Sequence, residues 1–195
     1  MAKILYIHGH GSSGTSEKAT QLQAALQALG HEVLTPTHQS DPRIDLPMLA
    51  HIVATEQIGT VIGSSLGGLY ALLMSARYDT KAFLINPSLH PENSVFKDHP
   101  GRVAIEVALN AFKPDTPDRS EWPDIANAEL PWEQIKVAIA MDDDRIDVPR
   151  TVKELRRAQV LEFHDPRGHR FENVLDLVPD IVGLIGKIGS RNPGQ

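Results

Sequence analysis

Cysteine is absent from this chain of 195 residues. Its absence excludes a disulfide framework and a zinc site built from thiolates. Long hydrophobic runs are lacking too. The apolar segment that follows Lys3 is too short for a membrane span or for the core of a signal peptide. We therefore expect a cytoplasmic protein that has no membrane partner.

An excess of positive charge is also missing. The sequence has 19 lysine and arginine residues against 25 aspartate and glutamate residues, which gives a formal net charge of −6. A chain of this sign repels the phosphate backbone, so we expect no nucleic-acid partner. Its 41% hydrophobic and 23% charged residues are typical of globular domains, and its length suits one domain with a sizeable core.

Short apolar runs alternate with segments of helical period along most of the chain. This alternation predicts an α/β fold with about six mainly parallel strands and with helices on both faces of the sheet. The strands are predicted at residues 4–8, 32–35, 60–63, 82–85, 137–141 and 160–164. The main helices are predicted at residues 16–29, 46–56, 66–78, 151–157 and 171–188.

A proline-rich stretch at residues 87–131 interrupts this alternation. A connection of this length inside a compact domain is usually a functional lid or an unrecognised substructure. We therefore predict one domain over residues 1–190, in which residues 88–131 form a short cap with one helix at 103–111. The alternative is an ordered surface excursion that does not contact the functional site.

The run Gly-Ser-Ser-Leu-Gly at residues 63–67 is the most informative motif. It matches the G-x-S-x-G pattern of a nucleophile elbow, in which a serine occupies a sharp turn between a strand and a helix. Glycines are needed two residues before and after Ser65, because side chains there would collide with the neighbouring strand and helix. The alternative is an ordinary glycine-rich turn in which Ser65 caps the following helix.

A His-Gly-His-Gly run at residues 8–11 follows the first predicted strand. A His-Gly pair at this place is typical of the loop that stabilises an oxyanion. We expect the backbone N–H groups of His10 and Leu66 to form that oxyanion hole. His8 is expected to brace the loop rather than to transfer protons.

The same loop also reads G-x-G-x-x-G over residues 9–14, which is the pattern of a dinucleotide-binding turn. That fold needs a carboxylate at the end of the second strand, and residues 35–38 contain none. A phosphate-binding loop would need a lysine where the chain has Thr15. We therefore expect no cofactor.

Four carboxylates follow the fifth predicted strand, at Asp142, Asp143, Asp144 and Asp147. In the chain order Ser-Asp-His, the acid of a catalytic triad belongs on a loop after a late strand. A cluster of carboxylates could instead hold Ca²⁺ or Mg²⁺, but the spacing does not match a calcium-binding loop. We expect no metal, and the pattern alone leaves the choice among the aspartates open.

His169 follows Gly168 after the sixth predicted strand, where the general base of such a triad should lie. His164 is the competing histidine, and its position at the strand end suggests that it points elsewhere. Active sites of open α/β sheets lie outside the carboxyl ends of the strands, and all four motifs fall there.

These motifs together resemble those of the YqiA-like esterases, a small branch of the α/β-hydrolases. The resemblance rests on residues 6–10 with Ser12, Ser13, Ser16 and Lys18, and on residues 63–71, 86–87 and 168–171. It is weak between residues 90 and 131.

The resemblance implies a minimal α/β-hydrolase fold and hydrolysis of short-chain carboxylic esters by Ser65, an aspartate and His169. The family's acid loop has an aspartate followed four residues later by another. Asp143 and Asp147 fit that spacing, so we select Asp143, with Asp144 as the competitor. The expected partner is a small-molecule ester. The alternatives are an acyltransferase or thioesterase with the same triad, or a non-catalytic binding module on the same fold.

Overall fold

A six-stranded sheet organises the computed structural model, which describes residues 1–91, 130–164 and 168–186. The strand order is β2-β1-β3-β4-β5-β6, and every neighbouring pair is parallel. The strands are β1 (Lys3–Ile7), β2 (Glu32–Leu34), β3 (Thr60–Ser64), β4 (Lys81–Ile85), β5 (Ile135–Ala140) and β6 (Gln159–Phe163). The predicted α/β fold class is therefore confirmed.

Helices cover both faces of this sheet. They are α1 (Glu17–Ala28), α2 (Pro42–Thr55), α3 (Leu66–Tyr78), α4 (Val148–Glu154) and α5 (Val178–Gly186), with short 3₁₀ turns at Trp132–Gln134 and Val174–Leu177. Helices α1 and α5 pack on one face, and α2, α3 and α4 pack on the other. Successive side chains of a strand point to opposite faces. Tyr6 of β1 therefore belongs to the hydrophobic core under α1 and α5, and Leu5 belongs to the core under α2, α3 and α4. Strands buried on both faces are the reason for the near-continuous apolar runs of the sequence.

Three helices begin more than two residues away from their predicted first residue. Helix α2 begins at Pro42 instead of 46. The predicted helix at 171–188 begins only at Val178, because Phe171 has a φ of 51° and the segment Val174–Leu177 is a 3₁₀ turn. Helix α4 begins at Val148 instead of 151. There the Asp147 carboxylate accepts a hydrogen bond from the Arg150 N–H and caps the helix.

The proposed cap at residues 88–131 falls largely outside the part of the chain that the structure describes. Residues 92–129, including the helix predicted at 103–111, belong to that undescribed stretch. The cap and the single-domain boundaries therefore stay predictions.

Two glycines allow α3 to approach β3 and β1 closely at the serine turn. A Cβ atom on Gly67 would overlap the carbonyl oxygen of Ile7, and one on Gly63 would overlap the carbonyl oxygen of Gly67. Both neighbours are backbone atoms, so neither can move aside without displacing a strand or a helix. The close approach therefore requires glycine at both positions.

We expect Gly67→Ala to lower the free energy of unfolding by about 3 kcal/mol, because the added methyl group must displace β1. Chemical denaturation followed by circular dichroism measures the change. Gly183→Ala is the matched control, since a Cβ atom at Gly183 in α5 meets nothing within 4 Å. That variant should instead gain about 0.5–1 kcal/mol from helix propensity. Equal effects of the two variants would contradict this account of the turn.

Candidate active site

Ser65 lies between β3 and α3 in a backbone conformation that residues other than glycine rarely adopt. Its φ is 55° and its ψ is −119°, and its side chain makes no capping hydrogen bond to α3. Holding a serine there costs roughly 1–3 kcal/mol, which the surrounding packing must supply. The alternative interpretation of Ser65 as an ordinary helix cap therefore does not fit its geometry.

The hydroxyl of Ser65 meets the imidazole of His169. The distance from His169 Nε2 to Ser65 Oγ is 2.9 Å, and His169 Nδ1 lies 2.8 Å from Asp143 Oδ2. In the tautomer that satisfies both contacts, Nδ1–H donates to the carboxylate and the serine O–H donates to Nε2. The structure thus brings three predicted site residues into one hydrogen-bonded chain.

The carboxylate of Asp143 is held by the backbone as well as by His169. Its side chain is 0% exposed, and its Oδ1 accepts hydrogen bonds from the N–H groups of Arg145 and Ile146 at 2.8 and 3.3 Å. These donors stabilise the ionised carboxylate and fix its orientation toward the imidazole.

The other three aspartates of this loop have contacts different from those of Asp143. Asp142 accepts a long bond from the Gly168 N–H at 3.3 Å, Asp147 caps α4, and Asp144 is exposed. Within the described ranges, no group of three or more histidine, aspartate or glutamate side chains is placed to hold a metal ion. The four carboxylates are therefore dispersed rather than gathered.

Asn86 is a site residue to which the sequence analysis gave no role, although residues 86–87 carried part of the family resemblance. It follows β4 with a φ of 43°, and its Nδ2 donates to the carbonyl oxygens of Gly168 and His169 at 2.9 and 3.2 Å. Its Oδ1 accepts from the Ala140 N–H at 2.8 Å. The side chain thus ties the histidine loop to the ends of β4 and β5. The Asn-Pro pair at residues 86–87 was its signal in the sequence.

A buried histidine pair supports the loop at residues 8–11. The Nδ1–H of His8 donates to the Gly9 carbonyl at 2.8 Å, and His8 Nε2 accepts from the His38 N–H at 3.1 Å. Burial lowers the pKa of His8, which favours the neutral imidazole that this pattern needs. The C=O and N–H of one peptide point in opposite directions, so this bond also orients the N–H of His10.

His38 and Asp45 extend this support away from the loop. The His38 ring stacks on His8 with the ring centroids 3.8 Å apart, and its Nε2–H donates to the His8 carbonyl at 2.9 Å. The other ring nitrogen lies 3.1 Å from the fully buried carboxylate of Asp45, which also receives a hydrogen bond from Tyr70. Neither His38 nor Asp45 belongs to a recognisable sequence motif, so the sequence analysis missed both.

A cavity of about 940 Å³ opens in front of Ser65. Its walls come from the loop at residues 9–12, the start of α1, the end of β3, the turn after β5 and the histidine loop. His10 and His169 line it, whereas His164 does not: its side chain is 74% exposed and lies 3.8 Å from a Glu162 oxygen. The main chain of Leu66 begins α3, where the first N–H groups have no acceptor within the helix.

Lys18 adds a cation to this cavity. Its Nζ donates to the hydroxyl of Ser64 at 3.0 Å, and Ser64 also bonds to the phenol of Tyr6. Burial lowers the pKa of Lys18 to about 8, although the nearby Asp143 carboxylate opposes this change. Burial raises the pKa of Tyr6 above its ordinary value, so the phenol stays neutral.

The parallel sheet and the serine turn at its carboxyl edge define the α/β-hydrolase class of fold, and solved structures agree. A protein of the alpha/beta hydrolase superfamily from Xanthomonas campestris matches with a TM-score of 0.64 and 23% identity over 96% of this chain and 100% of its own. Est1E from Butyrivibrio proteoclasticus matches with a TM-score of 0.68 and 15% identity over 95% and 89%. Mouse alpha/beta hydrolase domain-containing protein 10 matches with a TM-score of 0.68 and 17% identity, over 94% of this chain and 89% of its own.

The chain belongs to the uncharacterised protein family UPF0227, whose model matches residues 3–186. A UPF0227 protein from Vibrio vulnificus is 25% identical over 88% of this chain and 92% of its own length. Another from Shewanella oneidensis is 26% identical over 91% of this chain and 96% of its own length. These matches confirm the family resemblance that the motifs indicated. Among the described residues, no helix is both long enough and apolar enough to cross a membrane.

Proposed function

We propose that this protein is a serine hydrolase that cleaves short-chain carboxylic esters, with Ser65 as nucleophile, His169 as general base and Asp143 as the orienting acid. The observation that carries the proposal is the unbroken hydrogen-bonded chain from Ser65 Oγ through His169 to Asp143, at 2.9 and 2.8 Å. It ends on a serine held in a strained turn and facing a cavity. A purely structural serine would not need this conformation.

In the proposed acylation step, Ser65 Oγ attacks the ester carbonyl while its proton passes to His169 Nε2. The Asp143 carboxylate stabilises the imidazolium that forms. His169 then protonates the departing alcohol, leaving an acyl group on Ser65. Water then attacks the acyl carbon while His169 Nε2 takes one of its protons. The bond from that carbon to Ser65 Oγ breaks, His169 returns the proton to Ser65 Oγ, and the carboxylic acid leaves. These steps require no cofactor.

The negative charge that develops on the carbonyl oxygen needs donors in fixed positions. We assign this task to the N–H groups of His10 and Leu66, the first on the loop braced by His8 and the second at the start of α3. The nearness of the two segments supports the assignment, since a Cβ atom on Gly9 would lie 3.8 Å from Ser65 Oγ. Donors held by the fold need no reorganisation during the reaction.

A fluorophosphonate probe and a series of p-nitrophenyl esters test the proposal. We expect stoichiometric labelling of Ser65, identified by peptide mass spectrometry, and turnover that is fastest for short acyl chains. Thioesters and alcohol acceptors supplied in parallel measure the ratio of thioester cleavage and acyl transfer to ester hydrolysis. Absence of both labelling and turnover would instead indicate a non-catalytic binding module.

We expect Asp143→Asn to lower kcat by roughly 10²–10⁴-fold, because an amide favours the wrong tautomer of His169. Asp144→Asn is the matched control: it removes the same charge from the adjacent, exposed side chain and should change kcat little. Steady-state kinetics on one p-nitrophenyl ester measure both. A large loss of kcat in Asp144→Asn with little loss in Asp143→Asn would show that Asp144, and not Asp143, is the triad acid.

A further inference from the structure

Lys18 occupies a place in the cavity that the proposed acyl-transfer steps do not use. Its ammonium is 3.0 Å from the hydroxyl of Ser64, the residue directly before Ser65. The ammonium also interacts electrostatically with Asp143, the acid of the hydrogen-bonded chain that ends on Ser65, so the positive charge lies near the reacting groups. Both serines and Lys18 line the same cavity.

The charge of Lys18 is not balanced by an ion pair with any residue in the described ranges. Its contacts there are a neutral hydroxyl and the more distant attraction of Asp143, whose carboxylate is already bonded to His169. A partly buried ammonium without an anionic partner is unfavourable, and its depressed pKa reflects that. A neutral side chain of similar length would fill the space at lower cost.

The other charged side chains that line the cavity cancel one another in formal charge. Arg145 and Arg170 stand exposed at its rim, against the carboxylates of Glu17 and Glu172. Lys18 therefore leaves the described walls with one more cationic than anionic side chain, whereas the whole chain carries a net charge of −6. The positive charge that is left over is that of Lys18, and it favours an anionic group in the cavity.

Building on the proposed esterase function, we propose that Lys18 binds an anionic group of the substrate, and that the preferred substrates are small esters with a carboxylate or phosphate a few bonds from the scissile carbonyl. The short distance is dictated by the position of Lys18 beside the nucleophile. An ammonium is a point charge with three donors, of which Ser64 uses one. The remaining donors can meet an anion in either the acyl or the alcohol half.

Two matched substrate pairs test this assignment. Monoethyl succinate against ethyl succinamate places a carboxylate or its neutral amide in the acyl half. The pair of O-acetyl glycolate and O-acetyl glycolamide places a carboxylate or its neutral amide in the alcohol half. At pH 7 we expect kcat/KM to favour the anionic member of at least one pair about tenfold or more, as a charge-assisted hydrogen bond provides.

Lys18→Met should lower that preference at least about tenfold, and Lys18→Arg should retain part of it. Lys153→Met is the matched control, because it removes the same charge from an exposed position of α4 outside the cavity. An unchanged preference in Lys18→Met would overturn the proposal. So would equal kcat/KM values within both pairs, or a preference that depends on Arg145 or Arg170 instead.

Calorimetric binding to the Ser65→Ala variant separates this proposal from the esterase function. That variant should bind the anionic esters more tightly than their amides, and the double variant with Lys18→Met should not. Selective binding with no turnover by the wild-type protein would contradict the esterase function and leave the anion site standing. Turnover without a preference for the anionic esters would support the esterase function and contradict the anion site.

Discussion

Replacing Ser65 with alanine is expected to lower kcat by at least about 10³-fold on any ester that the protein cleaves, because no other group in the triad can form the acyl-enzyme. The fold should be retained, since Ser65 Oγ bonds to the His169 ring and caps no helix. Steady-state kinetics with a short p-nitrophenyl ester, beside a thermal unfolding curve, measure both effects.

Ser65→Gly is the companion variant for this test. It should lose activity to the same extent but raise the free energy of unfolding by about 1 kcal/mol, since glycine adopts a positive φ without strain from a Cβ atom. Gain of stability with loss of function would identify the strain as part of the site. Retention of more than a few per cent of activity in Ser65→Ala would show that Ser65 is not the nucleophile, and Ser64 would then be the hydroxyl to examine.

His169→Ala is expected to cost about as much activity as Ser65→Ala, because the serine is a weak nucleophile until a base removes its proton. The double variant should be no worse than either single one, since residues that act as one unit give non-additive losses. Rates with saturating ester, extending to long incubation times, measure these low activities.

His164→Ala is the matched control for the histidine. Its side chain is largely exposed, lies 3.8 Å from a Glu162 oxygen and does not line the cavity. We expect near wild-type kcat. Equal large losses from both histidines would leave the base unassigned, and a loss confined to His164→Ala would refute the proposed triad.

The strand and helix pattern could be predicted from the sequence because it depends on local periodicity. All six strands lie within two residues of their predicted ends. The closing helix was placed too early, since Phe171 has a positive φ that no apolar pattern reveals. The serine turn was also visible locally, because only glycine at Gly63 and Gly67 permits so close an approach of strand and helix.

The contacts of the candidate site depend on residues far apart in the chain. His169 lies 104 positions from Ser65 and 26 from Asp143, and it reaches both. The loop after β5 contains four aspartates that the sequence does not distinguish. In the structure the Asp143 carboxylate is buried and accepts hydrogen bonds from two backbone N–H groups. No spacing rule states which of several neighbouring side chains a fold will bury.

By itself, the sequence determined the order of the strands and helices, the sharp turn at Ser65 and the loops that carry candidate groups, since all of these follow from local backbone preferences and periodicity. Only the tertiary structure decided that Asn86 ties down the histidine loop, that His38 and Asp45 brace the loop at residues 8–11, and that Lys18 stands beside Ser64. The physical reason is that hydrogen bonding and burial of a polar side chain depend on partners that the fold brings together from distant segments.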